Sequence, residues 1–175
     1  MVAHATSCTY RPVTMSKAPT AAQSDELRRL MQRMFRRFGV LASDQTPCGK
    51  PLSIAHAHAL MVLLAKGETS QRDLGAELSI DKSNVARLCA KMVESGHVIQ
   101  RANEDDGRSR RVSLTARGRR LAREVEAASG ARFSALLAGV PADQRTQVVE
   151  ALQHLVAALD ALPASPVTSN EGDPE

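Results

Sequence analysis

A chain of 175 residues that is 43% hydrophobic can bury one real core and is too apolar to be disordered throughout. Its charge is mildly basic, with 23 Lys and Arg against 19 Asp and Glu, and with no Trp, one Tyr and three Phe it has too few rings to stack unpaired bases, which argues against a single-strand or RNA binder. No run reaches signal-peptide or membrane-span length, and three scattered cysteines, Cys8, Cys48 and Cys89, form no CxxC, which points to a reducing, cytoplasmic setting.

Residues 1–22 mix Thr, Ser, Ala and Pro without period and read as a disordered tail, with Met15 an alternative start. Helical spacing of Leu27, Leu30, Met31, Met34, Phe35, Phe38 and Leu41 predicts a helix from Asp25 to about Ala42, ringed by five arginines. A loop with Pro47, Gly49 and Pro51 follows, then a helix over Leu52–Lys66 closed by Gly67. Ser70, with Asp73 three residues on, suits the capped start of a short helix carrying Leu74 and Leu78 on one face. Ser79-Ile80 breaks the pattern and Asp81 caps a second helix, Lys82–Glu94. Its inner face is Val85, Leu88, Cys89 and Met92, and Gly96 is placed for a left-handed stop. His97–Arg101 reads as a strand, NEDDGRSRR (103–111) as a polar turn, and Val112–Leu114 as the returning strand. Thr115 caps a long helix to about Leu137, which Gly118 and Gly130 each weaken. A last helix is predicted over Asp143–Leu162, and 163–175 is an acidic, frayed tail.

Helix, tight turn, helix and a hairpin with a charged tip make a winged helix-turn-helix. The predicted fold is therefore mainly α with a small two-stranded β wing. Residues 81–123 hold eleven basic and five acidic side chains, a larger local excess than the net +4 of the whole chain. A basic patch over a helix of this kind fits a polyanion, here duplex DNA. On the outer face of the second helix, Lys82 and Lys91 suit phosphates, while Ser83, Asn84 and Arg87 lie where base edges are in reach. Arg108 and Arg110 in the wing suit a minor groove, and Ser70, Gln71 and Arg72 complete the candidate contacts. One reading helix covers only a few base pairs, and the first and last helices carry apolar stripes that a lone wing domain does not need. A homodimer on a near-palindromic operator is the expectation.

These residues also carry a resemblance. Leu74 and Leu78, Ser83–Leu88, Met92–Val98, Asp106-Gly107-Arg108 and Val112–Gly118 resemble regulators of the multiple-antibiotic-resistance repressor (MarR) family. The specific part is an acid and an arginine two residues apart before V-x-L-T-x-x-G, and Ser79 stands where such chains commonly have Gly. The likeness is one of layout from about Ser24 to Leu162. It implies a domain over 23–162, with the winged helix-turn-helix at about 52–115 and dimerisation helices at about 24–42 and 116–162. It further implies that Asp106 orients Arg108, that the protein is a repressor, and that a small molecule releases it.

Other chemistries are weaker. His56 and His58 are two apart on a helix, so they point about 200° apart and do not chelate one ion together; no metal and no cofactor is expected. Some members of the family sense peroxides through a cysteine, which makes Cys48, and after it Cys89, the candidates for a redox-sensing alternative. GxSxG, HExxH, GxGxxG and GxxxxGK[ST] are all missing, so an enzyme is not expected. A winged-helix module that binds protein is the remaining alternative, favoured if the basic face proves neutralised.

Overall fold

The computed structural model describes residues 18–41, 45–102 and 110–162. Helix α1 spans Ala21–Phe38. It starts four residues before the predicted Asp25 because Thr20 and Gln23 form a capping box: the Gln23 N–H donates to Thr20 Oγ1 at 3.2 Å and Gln23 Oε1 accepts from the Thr20 N–H at 2.9 Å. It ends before the predicted Ala42 because Gly39 turns left-handed at φ 84°. Helix α2 (Ile54–Lys66) is capped by Ser53 and closed by Gly67.

The reading unit follows. Strand β1 (Thr69–Ser70) leads into α3 (Gln71–Glu77), then α4 (Lys82–Glu94), β2 (Val98–Ala102) and β3 (Arg110–Leu114). The sheet order is β1-β3-β2, antiparallel throughout, with Val98 opposite Leu114, Gln100 opposite Val112 and Thr69 opposite Val112 on the other edge. The two-stranded wing predicted from sequence thus has a third, two-residue strand. Arg110 and Arg111, read as part of the polar turn, belong to β3. Helix α5 runs Ala116–Ala138, and a 3₁₀ turn at Ala142–Gln144 precedes α6 (Arg145–Asp160), which is shorter at both ends than Asp143–Leu162.

Alternation and helical period meet in one core. Leu60 and Leu63 of α2, Leu74 of α3, Val85, Cys89 and Met92 of α4, Val98 of β2, and Val112 and Leu114 of β3 are all buried. Ala122 and Val125 of α5 close it. By contrast α1 and α6 bury no residue. Leu30, Met34 and Phe35 on α1 and Leu152, Val156 and Leu159 on α6 are all exposed. The tails expected over 1–22 and 163–175 lie outside the described residues, apart from 18–22.

Candidate nucleic-acid interface

Helix α4 projects its polar face because its apolar one is spent on the core. Lys82, Ser83, Asn84, Arg87 and Lys91 are all exposed, while Val85, Cys89 and Met92 are buried. Asp81 caps its first turn, accepting from the Asn84 N–H at 2.8 Å. The same carboxylate accepts from Asn84 Nδ2, and Asn84 Oδ1 accepts from an Arg87 guanidinium N–H at 2.7 Å.

Arg72 of α3, Lys82 of α4 and Arg110 of β3 rim one hollow with Gln71, over a floor of Gly75, Ile80, Val85 and Ala86. Three elements thus bring three cations to one concavity, a geometry that suits anionic oxygens. Among the described residues no carboxylate pairs with Arg72, Lys82, Lys91 or Arg110. Ser70 is half-buried and engaged: its Oγ accepts from the Asp73 N–H at 3.0 Å and donates to Asp73 Oδ2 at 2.7 Å. It acts on α3 as a cap, and Asp73 answers its hydroxyl, not its backbone amide. Asp106 and Arg108 lie outside the described residues.

The α3–α4 turn is tight. Ser79 sits at φ 53°, the left-handed region, and is the only non-glycine there among the described residues. The start of α5 locks onto the wing. Thr115 N–H donates to the His97 carbonyl at 3.0 Å, Thr115 Oγ1 donates to the Gly96 carbonyl at 2.7 Å, and Gly118 N–H donates to Thr115 Oγ1 at 2.9 Å. A Cβ on Gly118 would lie 1.9 Å from the His97 carbonyl oxygen. The T-x-x-G pattern is therefore a packing requirement at this site, not a weak point in the helix.

Sequence reasoning missed one juxtaposition. His56 Nε2 and His97 Nδ1 lie 3.0 Å apart in the core, between α2 and the α4–β2 junction, with the rings edge to face. One neutral ring donates and the other accepts. Burial first, then the charges of His97 and Lys91, lower His56 to about 4. Burial first, then Arg117, lowers His97 as well. No group of three metal-ligating side chains occurs among the described residues.

An apolar cavity of about 270 Å³ lies between the end of α1, the 46–48 loop, α2 and α5. Phe38, Ile54, Ala57, Met61, Val125 and Phe133 line it, and Cys48, His58 and Arg132 are among its polar members. Arg132 stacks on Phe38 with its guanidinium carbon 5.0 Å from the ring centre, and donates to the Phe38 carbonyl at 3.3 Å. Phe38 and Phe133 rings lie 5.2 Å apart. Cys48 Sγ is 3.1 Å from Thr46 Oγ1 on the cavity wall. Cys89 is fully buried and burial pushes its thiol up, which disfavours the reactive thiolate and weighs against it as a redox centre.

Comparison with known proteins bears on the same segment. Residues 50–109 match the model of the MarR family. The chain is 35% identical over 106 residues to the exopolysaccharide II synthesis transcriptional activator ExpG of Rhizobium meliloti, a match covering 55% of this chain and 50% of that protein. It is 27% identical over 124 residues to the HTH-type transcriptional repressor Mb2911 of Mycobacterium bovis, covering 70% of this chain and 89% of that one. The crystal structure of a MarR transcriptional regulator from Methanosarcina mazei superposes with a TM-score of 0.65 at 24% identity, over 79% of this chain and 99% of that one. No described helix is long and apolar enough to cross a membrane. The helix order, the wing sheet on a T-x-x-G lock and the match over residues 50–109 agree: the chain has the fold of the winged helix-turn-helix regulators, and its reading unit is similar to that of the MarR family.

Proposed function

We propose that this chain is a cytoplasmic, homodimeric repressor that reads a near-palindromic duplex operator and is released by a small molecule. The observation that carries the reading is the basic rim of Arg72, Lys82 and Arg110, which no carboxylate pairs among the described residues, beside the exposed Ser83, Asn84 and Arg87 face of α4. In this reading α4 enters the major groove, Lys82, Lys91, Gln71 and Arg72 hold phosphates, and Ser83, Asn84 and Arg87 meet base edges. Arg110, on β3, joins the phosphate set, and Arg108, oriented by Asp106, enters the minor groove from the wing. Repression is preferred to activation because the repressor relative is matched over most of its length and the activator over half.

Release has a physical route. The apolar cavity and a second hollow beside it share Val40, Ile54, His58 and Met61, and the second is also lined by Leu78 and Ile80 at the α3–α4 turn. An apolar molecule that parts these residues would move the turn that aims α4. Selection of bound sequences from random duplex DNA, repeated with candidate effectors, tests the whole reading. An inverted repeat that is lost with an effector is the expected result, and enrichment of no sequence would overturn it.

A further inference from the structure

The acid at the head of α4 is out of place on electrostatic grounds. The exposed face that follows it carries Lys82, Arg87 and Lys91 and no carboxylate until Glu94. An exposed Asp beside a polyanion costs binding unless it does something there. Capping is not sufficient reason for an acid: in this same chain Ser53, Ser70 and Thr115 cap α2, α3 and α5 with one neutral oxygen each.

What Asp81 has that a hydroxyl lacks is a second oxygen and a charge. One oxygen caps the Asn84 N–H; the other accepts from Asn84 Nδ2. With its amide nitrogen tied down, Asn84 must turn Oδ1 outward, and that oxygen accepts from Arg87 at 2.7 Å. A flipped Asn84 would face Arg87 with a donor and make no bond. Residues 81, 84 and 87 are spaced three apart, so the string runs along one side of the helix. All three are exposed, so hydrogen bonds and not core packing set the Arg87 guanidinium before any partner arrives. Asp81 stays ionised: the Asn84 backbone N–H foremost, and also the Asn84 side chain, the Ser83 N–H and the Arg87 charge, hold it below the ordinary carboxylate range.

We propose that Asp81 is a specificity-determining residue of the reading head, positioning Arg87 through Asn84 while its charge opposes duplexes that Arg87 does not match. The proposal rests on α4 reading DNA as described above. Its signature is a pair of effects of opposite sign. Asp81→Ser keeps a cap oxygen and removes the second acceptor and the charge. Affinity for an operator selected from random duplexes should fall about tenfold, while affinity for a random-sequence duplex of equal length should rise about two- to threefold. The melting temperature should stay within about two degrees, since the cap remains. Asp81→Asn, which also caps, should behave the same way.

Arg87→Ala and the double variant Asp81→Ser/Arg87→Ala complete the cycle. Operator preference in the double variant should equal that of Arg87→Ala, because the effect of Asp81 passes through Arg87. Equal changes on both duplexes, a rise on both, or losses that add in the double variant would overturn the proposal while leaving Arg87 as a reader. If Arg87→Ala itself left operator preference intact, the assignment of Arg87 would fail, and this proposal with it.

Discussion

Two small residues in the reading unit have opposite needs. Gly118 meets the His97 carbonyl so closely that any Cβ must push α5 off the wing. Gly118→Ala is expected to destabilise the protein by about 3 kcal/mol, outweighing the gain in helix propensity, as read by urea unfolding. Ser79 is the reverse case: a side chain held left-handed where glycine has no Cβ to strain. Ser79→Gly should gain about 0.5 kcal/mol, the relief of strain less the entropy a glycine adds to the unfolded chain, with an unchanged denaturant slope. A loss in stability would show that the turn tolerates serine at no cost. On the reading face, Arg87→Ala should cost about 1–3 kcal/mol on the operator and relax base preference, whereas Lys82→Ala should weaken all duplexes alike and lower the salt slope by about 1. Titrations against operator and random DNA at several salt concentrations separate the two.

At the scale of elements, the α2–α4 junction carries a pH dependence. In the unfolded chain His56 titrates near the ordinary 6.5; in the core it is lowered to about 4. The unfolded state therefore binds more protons between those values. The stability that a neutral His56 contributes is present above pH 6.5 and is lost as pH falls towards 4, about 3 kcal/mol in all, and His97 adds in the same direction. A double His56→Leu/His97→Leu variant should lose that slope between pH 6.5 and 4, measured by thermal unfolding across the range; retention of the full slope would place its source elsewhere. The pair was not legible in the sequence because its members are 41 positions apart and only the fold brings them together. The same holds for β1, two residues that become a strand only by pairing with Val112 and Arg111. What is local was readable: Ser70, Asp81 and Thr115 each cap the helix their spacing predicted, and α4 has its predicted ends. The apolar stripe from Leu27 to Leu41 predicts the ends of α1 poorly, because the Thr20–Gln23 capping box starts the helix before the stripe and the left-handed Gly39 stops it before the stripe runs out. Of the candidate contacts, the exposed face of α4 was visible from period alone, but the convergence of Arg72, Lys82 and Arg110 on one hollow needed three elements to be placed.

At the scale of the molecule, the apolar area is divided unevenly. The reading unit encloses its core, while Leu30 and Leu152 are 54% and 46% exposed on helices that bury nothing. Exposed apolar faces of this kind mark an association surface. The proposed dimer would cover them. Leu30→Glu/Leu152→Glu should give a folded monomer by sedimentation, with the wing and its melting intact and operator affinity reduced by more than tenfold, because one reading head is left. A stable wild-type monomer at micromolar concentration would count against the dimer.

Helix α5 belongs to both parts. Gly118, Ala122 and Val125 lie in the core of the reading unit, and Phe133 and Leu136 stand exposed beyond it. Its 23 residues make a rod of about 34 Å. Held at its far end, such a rod is a lever, and a tilt of about 6° would carry the reading head by roughly 3.5 Å, close to the rise of one base pair. The cavity touches the rod at Val125, Ser129, Arg132 and Phe133, near the middle and towards the held end. A wedge there acts close to the fulcrum, where a displacement of about an ångström is multiplied at the tip. In the proposed dimer, two heads on opposed levers would change their separation by twice that amount. A spacing matched to one turn of DNA can thus be lost with every hydrogen bond inside each reading unit still in place.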